Sequence, residues 1–140
     1  MAFKDTKLKV LDNTGILQIK CLHVFKTKLI KPGSILTGVI KKIQPHKKLK
    51  KGQICKVIVV RCAIFNKRTF GLFLKDSINA VVLLKKTEFM PIGTRIFGPI
   101  CYELRNVFLV KLLTLASYLL QFHVKKICKF RSLFKRYIIV

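Results

Sequence analysis

Residues Ile54–Cys62 read I-C-K-V-I-V-V-R-C, and hydrophobicity is nearly unbroken from Ile54 to Val60. A strand with one wet face alternates apolar and polar side chains, whereas a strand covered on both faces reads as a continuous apolar run. The stretch therefore predicts a strand buried on both sides. Runs of similar character, rich in Val, Ile, Leu and Phe, lie at Leu8–Leu11, Leu17–Phe25, Ile35–Ile40, Thr69–Leu74 and Ala80–Leu84. Turn signals separate them: Asp12-Asn13-Thr14-Gly15, Lys31-Pro32-Gly33-Ser34, Lys51-Gly52 and Asn66-Lys67-Arg68. Strands at such spacing predict a small all-β barrel. After them, Tyr102–Leu120 predicts short helices whose Leu and Val pack back on the barrel, and 140 residues suit one domain with a sizeable core.

The charge is one-sided. Lys and Arg number 29 against 5 Asp and Glu, a formal net charge of +24, yet 51% of the residues are hydrophobic. That apolar content rules out disorder from low hydrophobicity. Between Asp12 and Asp76 there are fifteen Lys or Arg and no acid. Such a domain needs counter-charge from outside, and nucleic-acid phosphates are its usual source. Lys41–Lys51 holds six lysines in eleven residues around Pro45 and His46. Pro45 opposes helix and sheet pairing, which predicts a projecting basic loop with His46 as a polyanion contact. Pro91–Pro99, P-I-G-T-R-I-F-G-P, predicts a second loop holding out Thr94 and Arg95 for a phosphate or a protein partner, unless it is an ordinary tight connection.

Catalysis is poorly supplied. The five acids Asp5, Asp12, Asp76, Glu88 and Glu103 show no suggestive spacing, and His23, His46 and His123 have no local ligand partner. Nucleophile-elbow and phosphate-loop glycine patterns are missing. His23 reads as a half-buried strand residue. Cys21, Cys55, Cys62, Cys101 and Cys128 contain no C-x-x-C pair and read as small buried hydrophobes in a reduced compartment. The expectation is a non-enzymatic protein without metal or cofactor. Val107–Val124 approaches the length of a membrane span, but Lys111 interrupts it, so no span is expected. The Phe-dominated aromatic content reads as core, which argues against a single-strand stacking platform.

At this point the residues match a family. Leu8-x-Val10-x-Asp12-Asn13-Thr14-Gly15, Cys21-Leu22-x-Val24, Lys50-Lys51-Gly52, Val57-Ile58-Val59-Val60-Arg61 and Asn79-x-x-Val82-Leu83 lead to Pro91–Pro99. Glu103-Leu104-Arg105 and Lys111-Leu112-Leu113-Thr114-Leu115-Ala116 follow. In this collinear order, over roughly Leu8–Leu120, the chain resembles the large-subunit ribosomal protein family L-fourteen. The resemblance implies a mostly β fold, a small five-stranded β-barrel with a short C-terminal helical part and projecting basic loops. Residues 1–120 would be that domain, and 121–140 a basic amphipathic extension.

The resemblance also implies partners: large-subunit rRNA, small-subunit rRNA at inter-subunit bridges, neighbouring ribosomal proteins, and a ribosome-silencing factor that blocks subunit joining. By position, Thr94, Arg95 and Lys111 match the surface used for that factor, and Lys41–Lys51 the loop that approaches the small subunit. Expected rRNA contacts are Lys41, Lys42, His46, Lys47, Lys48, Lys50, Lys51, Arg61, Lys67, Arg68, Arg95 and Arg105, with Asn13 and Gly15 shaping the first turn. Against the family pattern, Gly38 replaces a strand aliphatic, Lys42 an acid and Asp76 an aromatic residue. Phe70 stands where Asp or Asn usually precedes the glycine, and the Val24–Gly33 loop is shorter. The Ile/Phe/Lys/Leu-heavy composition, the basic tail and a match starting within eight residues of Met1 point to an organelle-encoded mitochondrial protein, with a bacterial cytoplasm as the alternative. Rival readings are a free RNA-binding regulator using the same barrel, and a membrane-surface protein led by Val107–Val140. The extension could itself lie on RNA, an anionic membrane or a partner protein.

Overall fold

A computed structural model describes residues 3–25, 30–45, 49–67, 73–85, 88, 90–107 and 110–120. Five strands close a barrel: β1 (Lys7–Val10), β2 (Ile16–Val24), β3 (Ile35–Ile43), β4 (Ile54–Arg61) and β7 (Ala80–Leu84). Neighbours run antiparallel around it, except that β1 and β7 close the ring in parallel. Two short strands, β5 (Asn66–Lys67) and β6 (Phe73–Leu74), form a separate hairpin between β4 and β7. Beyond β7 come β8 (Ile96–Cys101), a 3-10 helix (Tyr102–Val107), α1 (Val110–Leu115) and β9 (Ala116–Leu120).

From Val57 onward the continuous run has the origin its reading predicts, whereas Ile54, at the strand's start, is 55% exposed. On β4, Val57 and Val59 enter the barrel interior with Leu8, Ile19 and Leu36. Ile58 and Val60 point the other way, into a second core with Val82, Ile96, Ile100, Leu104 and Leu112. The β8–α1 layer thus covers β4 and β7 from outside, and β7 is buried at every position. Each such Val, Ile or Leu contributes about 1.5–3 kcal/mol by leaving water.

Several expectations need correction. Among the described residues the Phe side chains are not core: Phe3, Phe25, Phe65, Phe73 and Phe97 are all exposed, and the described interior is filled by aliphatics and cysteines. A five-stranded barrel is too narrow for many rings, and Ile, Val and Leu fill it in alternating layers. His23 is exposed as well, edge-on to the ring of Phe25. Ala116–Leu120 is a strand, not helix. It lies parallel to β8, with Ile96 opposite Ala116 and Cys101 opposite Leu120. The 3-10 helix and α1 are the crossover that a parallel pairing requires.

The basic segments also shift. β3 runs past Ile40 to Ile43, so Lys41 and Lys42 are strand residues, with Lys42 paired to Gln18 and Ile43 to Ile16. Of Pro91–Pro99, only the part before Ile96 is loop, since Phe97 N–H donates to the Leu11 carbonyl at 2.8 Å as β8 begins. Asn66 and Lys67, read as a turn, pair with Leu74 and Phe73 instead.

Candidate nucleic-acid interface

One end of the barrel carries the β3–β4 lysines. Lys41, Lys42, Lys50 and Lys51 are exposed and make no ion pair among the described residues. The ladder holds their backbones: Gly52 N–H donates to Ile40 O at 3.0 Å, Ile40 N–H to Gln53 O at 3.2 Å, and Gln44 N–H to Gly15 O at 2.9 Å. Lys41 and Lys42 are therefore charges on a rigid strand end. His46, Lys47, Lys48 and Arg68 lie outside the described residues, as does the side chain of Lys67.

A second surface is built by the first turn and the Pro91 loop. Asp12 is buried, and its carboxylate accepts Leu83 N–H and Thr14 N–H, both at 3.0 Å, together with the Thr14 hydroxyl. Burial pushes this carboxyl above its ordinary pKa, and the hydrogen bonds from Thr14 and Leu83 offset part of that rise. Asn13 reaches further than the turn it shapes. Its Nδ2 donates to Thr94 Oγ1 at 2.7 Å, and its Oδ1 accepts Thr94 N–H at 3.0 Å. Gly93 permits this approach, for a Cβ there would stand 2.8 Å from Asp12 Cβ and 2.9 Å from Asn13 Oδ1.

Thr94 and Arg95 are thereby exposed on a stapled frame. Lys111 is exposed in the first turn of α1, at the opposite end of that helix from the Ala116–Ile96 pairing, and no hydrogen bond or ion pair among the described residues joins it to Thr94 or Arg95. Beside the stapled turn lies a cleft of about 310 Å³, lined by Asn13, Leu17, Gln44 and Phe97 among others. The local pattern Asp12-Asn13-Thr14 signals a side-chain-capped turn. Nothing in it reveals a partner at position 94.

Arg61 is a correction. Expected among the phosphate contacts, it is only 7% exposed. A register irregularity between Val59 and Arg61 re-aims the strand end, and Nη2 donates to the Phe97 carbonyl at 2.8 Å. Its Nε is buried with no partner among the described residues. Gly98, at φ +81°, leaves open the space this guanidinium occupies. The arginine braces β8 from within. Arg105, by contrast, is exposed, with Nη1 bonded to Tyr102 Oη at 2.9 Å and the guanidinium 5.8 Å from that ring's centre.

Four of the five acids, leaving Glu103 aside, are buried or paired away from the lysine end. Asp12 and Asp76 are buried, and Asp5 and Glu88 pair with Lys20 at 2.9 Å and Lys85 at 3.7 Å. Cys21, Cys55, Cys62 and Cys101 form no disulfide among the described residues and are all buried, and burial pushes the Cys62 thiol up to about 12. Cys128 lies outside the described residues. Among the described residues no three His, Cys, Asp or Glu side chains gather as metal ligands, and no helix is long and apolar enough to cross a membrane.

The family model of Ribosomal protein L14p/L23e matches residues 1–120, which is the barrel together with the β8–β9 layer. The chain therefore belongs to the Ribosomal protein L14p/L23e family, with the structural role in the large ribosomal subunit that this membership carries.

Proposed function

We propose that the protein binds large-subunit rRNA by neutralising phosphates with lysines fixed on its barrel, and that it catalyses nothing. The carrying observation is that Lys41, Lys42, Lys50 and Lys51 are exposed and unpaired among the described residues, in a chain of net charge +24. Arg95 and Arg105 extend the contact set, and His46, Lys47, Lys48, Lys67 and Arg68 complete it. Arg61 is left out because it faces inward. The lysine end reaches small-subunit rRNA across the subunit interface. Thr94, Arg95 and Lys111 form the docking surface for a ribosome-silencing factor, and the β8–α1 layer meets neighbouring ribosomal proteins. The Ile-, Phe-, Lys- and Leu-heavy composition and the basic segment beyond the family match support a mitochondrial ribosome.

The test is the salt dependence of binding to purified large-subunit rRNA. Replacing Lys41, Lys42, Lys50 and Lys51 by Gln leaves up to four phosphates without a protein counter-charge. The slope of log affinity against log salt then becomes shallower by about 0.9 for each duplex phosphate no longer neutralised. An unchanged slope contradicts the assignment.

A further inference from the structure

The β5–β6 hairpin carries an arrangement that the phosphate-binding reading does not use. It stands outside the barrel as its own two-stranded sheet, at the Arg61 end of β4, whereas the lysines lie at the Ile54 end. Along β4 those ends are roughly 25 Å apart, at about 3.3 Å per residue. Phe65 is 58% exposed and Phe73 50%. Their rings meet edge-to-face, with centroids 6.5 Å apart and planes at 85°. The Lys75 ammonium stands 4.7 Å from the centre of the Phe65 ring.

The register explains the cluster. Lys67 lies opposite Phe73 and Asn66 opposite Leu74; extending that register one residue past the strand ends puts Phe65 across from Lys75, in keeping with their 4.7 Å cation–ring contact. Phe65 and Phe73 are thus diagonal neighbours, close enough for rings to touch. Leu74 on the alternate face is half-buried, so the hairpin turns its aromatic face outward. Two half-exposed rings cost solvation without adding to either core, since neither belongs to a buried cluster.

We propose that Phe65, Phe73 and Lys75 form a stacking site for an unpaired RNA nucleobase. This rests on the rRNA-binding reading and adds a second contact, of different chemistry, at the far end of β4. Lys75 and Phe65 hold each other through the cation–π contact, and Phe73 is braced edge-on. A base stacks on the exposed aromatic surface while the Lys75 ammonium neutralises its phosphate. A ring face beside a cation suits a nucleotide, which offers a π-surface and an anion a few ångströms apart. Charge favours RNA over a protein neighbour, because 29 basic residues face 5 acidic ones in the whole chain.

The experiment compares the full chain's affinity for a short oligouridylate and for an abasic ribose-phosphate polymer of equal length. The expected result is tighter binding of the base-bearing strand by about tenfold, the contribution of one stacked base. Phe73→Leu should erase that preference with the abasic affinity and the melting temperature unchanged, while Lys75→Gln weakens both strands. Equal affinity of the wild type for both strands overturns the stacking site and leaves the phosphate reading standing. Failure to bind either strand removes both. Photocrosslinking from position 73 to protein and not RNA in assembled subunits also overturns it.

Discussion

Asn13 and Thr94, 81 residues apart, close on each other through two reciprocal hydrogen bonds, one from Asn13 Nδ2 at 2.7 Å and one from Thr94 N–H at 3.0 Å. This pair sets the first turn against the Pro91 loop and so fixes the surface that carries Arg95. Asn13→Ala removes both bonds at an exposed site, for an expected loss of about 1 kcal/mol in urea unfolding. Asn13→Asp keeps the acceptor for Thr94 N–H and should lose less. Equal stability of Asn13→Ala and wild type contradicts the staple.

Gly98 and Arg61 form a second lock. Gly98 adopts φ +81°, and a Cβ there meets the Arg61 guanidinium. Gly98→Ala combines an unfavourable backbone region with a displaced buried cation, for a cost of about 1–3 kcal/mol. Thermal unfolding measures it. A neutral Gly98→Ala would mean that Arg61 moves freely, contrary to its bond with the Phe97 carbonyl.

Asp12 carries a pH signature. Burial raises its folded pKa above the unfolded value, so the native state takes up the proton first as pH falls. Between the two values, folded stability from this group rises with acidity, and Asp12 opposes acid unfolding. The stability of wild type relative to Asp12→Asn should therefore grow as pH is lowered toward about 4. At neutral pH, Asp12→Asn turns an amide N–H toward the Leu83 N–H or the Thr14 donors, costing about 1–3 kcal/mol. A carboxyl resonance of Asp12 titrating below the ordinary range contradicts this.

Gly38 pairs with Cys21 across β2–β3, and a Cβ there would collide with the Ile19 Cγ2 methyl. Gly38→Ala should cost about 1–3 kcal/mol by overpacking. In the Ile19→Ala background the same change should cost less, and a double-mutant cycle in urea reads the coupling. Strict additivity contradicts the account.

Much of the barrel was legible because burial on two faces leaves a direct mark on sequence, as Val57–Val60 and Ala80–Leu84 show. What was illegible depends on partners distant along the chain. Ala116–Leu120 has no strand signature of its own and becomes a strand because β8 offers an edge. Arg61 looks like any phosphate-binding arginine until a local register irregularity turns it toward Phe97. Composition alone assigns Phe65 and Phe73 to a core, yet the barrel holds smaller side chains and leaves both rings outside. Asp12 and Asn13 mark a turn in sequence, and only the fold joins it to Thr94.

The central claim is that this chain is an integral, electrostatically held part of the large subunit. Sedimentation of ribosomes from the source cells through gradients of rising salt tests it most directly. The protein should travel with large subunits at moderate salt and come off only when phosphate contacts are screened. Recovery as free protein at low salt, with none in the large-subunit fractions, would contradict it.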